Sequence, residues 1–176
     1  MRIGIDVSQL AYKNIGVSNY LENLVENLIN NDDKNEYVLF FSSLRGFMPN
    51  LKLSSKSVVI KKFKLPPTFL DLLWNKLHIM PIENFIGNVD VFITSDWTEP
   101  PTFHAKKVTI LYDLIVYKYP KETASKIVEV QKRKLNWVKK ETLKILCISE
   151  STKKDAHDLL LISENKLSVI YPGFSL

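Results

Sequence analysis

Short runs of consecutive apolar residues recur along the whole chain, each too brief to be an independent helix. The clearest is residues 37–41, Tyr-Val-Leu-Phe-Phe, which follows an entirely polar tract at 30–35. Unbroken runs also lie at 58–60 and 145–148, and strand-like runs interrupted by polar residues at 2–6, 89–93, 108–112 and 167–171. Unbroken apolar runs of this length are the mark of strands buried on both faces, as in parallel sheets. Between them the period changes. Tyr20, Leu21, Leu24, Val25, Leu28 and Ile29 fall on one face of a helix, while Glu22, Asn23, Glu26 and Asn27 face elsewhere. Further helices are expected at 124–142 and 151–161. Strands alternating with helices give an α/β fold: a Rossmann-like, mostly parallel sheet with helices on both faces. Ligands of such sheets bind beyond the carboxyl ends of the strands, so functional polar residues belong just after strands.

The stretch 61–84 fits this alternation least well. Pro66-Pro67 breaks the chain, and Phe69, Leu70, Leu72, Leu73, Trp74, Leu77 and Ile79 form an apolar helix expected to stop before Pro81. The 176 residues suffice for one domain with a substantial core and leave no room for a second. No apolar run reaches bilayer length, and the start MRIGIDV enters a strand directly, so the expected compartment is cytoplasmic. Cys147, the single cysteine, sits within an apolar strand and reads as a buried thiol.

Three polar groups follow strands. Asp6, Ser8, Gly16 and Ser18 form a loop entering the first helix. Gly16 there serves either a close approach of backbone to ligand or a simple turn. Neither G-x-G-x-x-G nor G-K-[ST] is present, which disfavours a nicotinamide dinucleotide site and a P-loop. Asp96, Trp97 and Glu99, in the second group, suit a polyol: an indole stacks on a sugar ring while carboxylates accept from its hydroxyls. A capped loop with Trp97 as a lid on the core fits equally well. Tyr112-Asp113 is the third, its carboxylate placed to orient a hydroxyl or to cap the next turn. Ser149 and Glu150 open a helix directly after a strand and read as its cap or as a ligand contact. His78, His104 and His157 are too scattered to form a metal site.

The net charge is +5, from 24 Lys and Arg against 19 Asp and Glu. Nine of the cations lie between Lys118 and Lys144, interleaved with Ile127, Val130, Leu135 and Val138. An amphipathic helix displaying that charge is expected, solvated or drawn to an anionic lipid surface or a phosphate-bearing substrate. Nucleic acid is not an expected partner, because no reading motif accompanies the charge.

In this order the segments MRIGIDVSQL, NIGVSNYLENLVENL, NEYVLF, VDVFITSDWTEPP, KKVTILYDLIVYKYP, ILCISESTKKDAHDLL and KLSVIYPGF resemble the N-terminal domain of GT-B fold retaining glycosyltransferases. The family is the one called group 1 or family 4, with mannosyl- and rhamnosyltransferase-like members. The resemblance implies one half of a GT-B fold, with residues 1–172 as the acceptor-side domain and 173–176 starting a hinge to a C-terminal donor-binding domain absent from this chain. It implies transfer of a sugar from a nucleotide-diphosphate sugar to a glycan or lipid-linked hydroxyl, with retention, without a metal or other cofactor, in polysaccharide biosynthesis. The full-length protein is then the enzyme, and the isolated fragment is inactive. Gly16 falls in the family's glycine loop, Asp113 matches the Asp of its His-Asp pair, and Ser149-Glu150 matches its Ser-Glu segment. Tyr112 replaces the His of that pair, which keeps open an alternative: a non-catalytic glycan- or protein-interaction domain of the same fold. The inner face of the membrane is a second expected place of action.

Overall fold

A computed structural model describes residues 1–12, 15–54 and 57–173. Along the chain run β1 (Arg2–Asp6), α1 (Gly16–Asn30), β2 (Glu36–Ser42), β3 (Val58–Phe63), α2 (Pro67–Leu70), α3 (Glu83–Ile86) and β4 (Val91–Thr94). These are followed by β5 (Lys106–Leu111), α4 (Ile115–Lys118), α5 (Ser125–Glu141), β6 (Lys144–Cys147), α6 (Glu150–Leu160) and β7 (Leu167–Val169). The strands form one sheet in the order β3-β2-β1-β4-β5-β6-β7. Every neighbouring pair is parallel. This is a Rossmann-like α/β fold.

The unbroken apolar run of β2 follows from its place inside the sheet. Tyr37, Leu39 and Phe41 point to one face and pack with Leu21, Val25 and Ile29 of α1. Val38 and Phe40 point to the other face, where Leu70, Leu73, Trp74, Ile82, Ile86 and Phe92 meet them. A third cluster joins α5, α6 and β6 through Leu135, Val138, Ile145, Cys147, Ala156 and Leu160. Burial pushes the Cys147 thiol up to about 11, which leaves it protonated at neutral pH. Gly4 lets Phe92 lie against β1: a Cβ there would stand 2.7 Å from the Phe92 ring and 2.8 Å from Ile86.

Most differences from the expected elements are at their ends. β4 starts at Val91 and β7 stops at Val169, although just beyond them the Asp90 N–H still donates to the Arg2 carbonyl and the Ile170 N–H to the Cys147 carbonyl. The helix expected over 69–79 begins instead at Pro67, and from Asp71 to Lys76 it widens into a π-helical turn. That turn buries Leu73, Trp74 and the polar Asn75. Phe69, Leu72, Leu77 and Ile79 remain 42–56% exposed, so only Leu70, Leu73 and Trp74 of the apolar tract are core. His78 and Met80 end the segment with positive φ values of 52° and 58°, a costly conformation for non-glycine residues. Residues 174–176 of the expected hinge lie outside the described residues. Among the described residues, no helix is long and apolar enough to cross a membrane.

Candidate functional site

Strand order reverses between β1 and β4, so the loops leaving their carboxyl ends diverge and open a crevice. The floor of that crevice is charged. Asp6, at the end of β1, is 3% exposed, and its Oδ1 accepts the Ser8 N–H at 2.9 Å. Lys134 of α5 is 2% exposed and donates from Nζ to the Ser95 carbonyl. Burial lowers the Lys134 pKa, while Glu99, Asp96 and Asp6 act to raise it. Asp96 accepts the Gln131 carboxamide N–H at 3.2 Å, and burial raises its pKa.

Behind this floor Glu99 has no exposed surface. Its Oε2 accepts from the hydroxyls of Thr94 at 2.6 Å and Thr109 at 3.1 Å, and its Oε1 accepts from Thr142 at 3.3 Å. Lys107 Nζ lies 3.4 Å from Oε1 and also pairs with Glu141. Asn75 ties this cluster to the π-helical turn. Its Oδ1 accepts the Glu99 N–H at 3.0 Å, its Nδ2 donates to the Trp97 carbonyl at 2.9 Å, and its own carbonyl accepts the Trp137 indole N–H at 2.8 Å.

A wide opening lies beside α1, at the carboxyl ends of β5, β6 and β7. It is a groove of about 950 Å³. One wall is α1, with Gly16, Asn19, Tyr20, Asn23, Leu24 and Asn27; facing it are Tyr112, Asp113, Ile148 and the segment from Ile170 to Gly173. Tyr20 meets the edge of Tyr112 with ring centroids 5.6 Å apart and donates its hydroxyl to the Ile170 carbonyl at 3.3 Å. The Tyr112 hydroxyl is turned inward, 3.1 Å from Ser95 Oγ, so the groove meets its ring rather than its oxygen. Asp113 Oδ1 accepts the Ile115 N–H at 3.0 Å, which starts α4 and fixes the carboxylate at the rim.

Gly16, Tyr112 and Asp113 therefore share one groove. Gly16 has no positive φ, and a Cβ on it would meet nothing within 4 Å, so neither a turn nor packing requires glycine here. Ser18 is buried and donates to the Ile15 carbonyl, away from the opening. Asp96 does not line the groove; Gln131 holds it. Trp97 is half-buried outside the groove lining. Glu99 is sealed in the core, because three hydroxyls and a lysine satisfy it there. Ser149 caps α6, accepting the Thr152 N–H at 3.1 Å, and Glu150 is exposed in its first turn. Ile148, just before them, does line the groove.

Lys134 and Lys107 were not among the expected site residues, and the positive face expected of α5 has to be corrected for Lys134, which turns inward. The spacing carries the signal: Val128, Gln131, Lys134, Leu135 and Val138 follow one helical stripe facing the sheet.

Asp6 makes the floor pH-dependent. Burial, partly offset by Ser8 and Lys134, holds its pKa above the ordinary value of 3.8. The folded state thus binds this proton more tightly than the unfolded chain, and stability falls as pH rises from 3.8 through the higher folded pKa. Asp6→Asn keeps an oxygen for the Ser8 N–H and removes the charge. Its urea midpoint is expected to exceed that of the native chain at pH 7, with the difference closing below pH 3.8. A variant less stable at pH 7 would mean that the Lys134 attraction outweighs desolvation.

No family model matches the chain, and no curated protein matches it. Among solved structures it is similar to an ethylated short-chain dehydrogenase/reductase from Veillonella parvula DSM 2008. The identity is 12% and the TM-score 0.48, over 83% of this chain and 67% of that one.

Proposed function

We propose that this chain is the acceptor-side half of a retaining glycosyltransferase of the GT-B kind, acting with a donor-binding domain that carries the nucleotide-diphosphate sugar. The observation that carries the reading is the chemistry of the groove. A chain with 24 Lys and Arg places none of them among the described lining residues. The walls are carboxamides, aromatic rings, aliphatic side chains such as Val17, Leu24, Ile148 and Ile170, and one carboxylate, a surface for a neutral polyol rather than for a phosphate-rich ligand. Tyr20, Tyr112 and Tyr171 offer apolar faces to sugar C–H bonds.

In this reading Asp113 orients the reacting hydroxyl. One of its oxygens is held by the Ile115 N–H, so the other accepts from an acceptor hydroxyl at the rim. The amino end of α1, whose Ile15 N-cap makes no side-chain hydrogen bond, adds partial positive charge beside Gly16, where negative charge develops as the donor phosphate departs. Glycine at this point keeps a side chain out of the space shared by donor and acceptor.

The test is an amide NMR titration of the chain with methyl glycosides, nucleotide-diphosphate sugars and NADH. Methyl glycosides are expected to shift Gly16, Asn19, Tyr20, Asp113 and Tyr171. NADH-specific shifts at these residues, or no glycoside shifts, would overturn the reading. In the natural-length protein, nucleoside diphosphate release from nucleotide sugars should depend on added glycoside, and Asp113→Ala should slow it about 100-fold.

A further inference from the structure

One wall of the groove has a regular pattern that a site for a single sugar ring does not use. Asn19, Asn23 and Asn27 line it at intervals of four residues, so they stack along one side of α1, about 6 Å apart per step. Asn23 donates its carboxamide N–H to the Asn19 carbonyl at 2.8 Å, and Asn27 does the same to Asn23 at 2.8 Å. A backbone carbonyl only accepts, so the nitrogen of each carboxamide must face the helix and its oxygen is turned outward. The Asn23 and Asn27 amides are thereby fixed in orientation by their own helix, each with an oxygen and a second N–H left for a ligand. Tyr20 and Leu24 fall between them on the same wall and supply apolar surface at the same repeat.

We propose that this asparagine ladder is an extended binding track for a neutral oligosaccharide, and that it sets the length of acceptor the protein prefers. This deepens the acceptor reading above and rests on it. From Asn19 to Asn27 the track is about 12 Å long, more than one hexose ring spans. An amide presenting one acceptor and one donor matches a pair of neighbouring sugar hydroxyls, and a helix repeats that match at fixed spacing. The reacting hydroxyl lies at the Gly16 and Asp113 end, so the ladder holds sugar units further from the transfer point. The described lining carries no Lys or Arg that would favour a phosphorylated or sulfated chain.

The experiment compares methyl mannoside and methyl glucoside with their linear di- and trisaccharides, using the same NMR titration on the native chain and on Asn23→Ala/Asn27→Ala. Both positions are exposed in the helix interior, and alanine raises helix propensity, so the variant folds. The native chain is expected to bind at least one of the trisaccharides about tenfold more tightly than its monosaccharide. The variant should lose that gain and keep the monosaccharide affinity. Trisaccharides that bind no more tightly than monosaccharides, or a variant that keeps the gain, would overturn the track while leaving the acceptor reading in place. A native groove that no monosaccharide perturbs would overturn that reading, and the track with it.

Discussion

Glu99→Ala is expected to destabilise the chain by about 3–5 kcal/mol, the usual cost of removing one member of a buried ion pair. The substitution leaves Lys107, 3% exposed, with less counter-charge, and Lys134, 2% exposed, loses the carboxylate that most favours its charged form. The hydroxyls of Thr94, Thr109 and Thr142 lose a common acceptor. The Glu99 N–H bond to Asn75 is made by the backbone and survives, so the loop keeps one of its anchors. Urea denaturation checks the size of the effect. Combining Glu99→Leu with Lys107→Met should recover part of the loss, since Lys107 is no longer stranded, while Lys134 and the three threonine hydroxyls still lack the carboxylate. A Glu99→Ala variant within about 0.5 kcal/mol of the native chain would mean that Glu141 alone satisfies Lys107.

Trp74→Ala is the second large effect, also about 3–5 kcal/mol. The indole is fully buried and stands 5.5 Å from both Phe40 and Phe85 between ring centroids, and its N–H donates to the Met80 carbonyl at 3.0 Å. That bond helps fix the positive φ at Met80. Losing the ring opens a cavity against the sheet and frees the π-helical turn that carries Asn75. The Trp97–Glu99 loop should then loosen as well, read as faster amide exchange at Glu99. Trp74→Phe separates the two contributions, because it keeps most of the packing and removes only the N–H, at about 1–3 kcal/mol. A shift of the urea midpoint without a change in slope would place the whole effect in stability. Full protection at Glu99 in Trp74→Ala would show that Asn75 holds the loop without help from the core.

The middle of the sheet was legible because β2 is buried on both sides, and that condition leaves a plain mark: residues 37–41 form an unbroken hydrophobic run. The position of Gly16 and Asp113 beyond strand ends followed from the same rule. What the sequence hid were the exceptions to its own code. Lys107 lies next to the apolar run at 108–112, and a lysine there reads as a surface boundary; in the sheet it is 3% exposed and paired. Glu99 sits in a polar loop after a strand, the place for a ligand contact, yet Thr94, five residues before it, and Thr109 and Thr142, farther along the chain, draw it inward. Such convergence depends on tertiary register, as in the Thr94–Thr109 pairing of β4 with β5, which no local spacing records. The asparagines of α1 were visible as a polar face, but only the arrangement of β5, β6 and β7 turns that face into the wall of a groove.

The central place of β1 has a consequence for synthesis on the ribosome. Its partner on one side, β2, follows within the first 42 residues, but its partner on the other side, β4, pairs through Val91–Ile93. At the rates usual for translation, that second edge waits roughly 4–18 s for its neighbour to emerge. For those seconds the nascent chain offers a bare parallel edge flanked by apolar side chains, a template on which other unfinished chains add. A holdase that shields emerging polypeptide therefore has its greatest effect on yield before the codons for β4 are read.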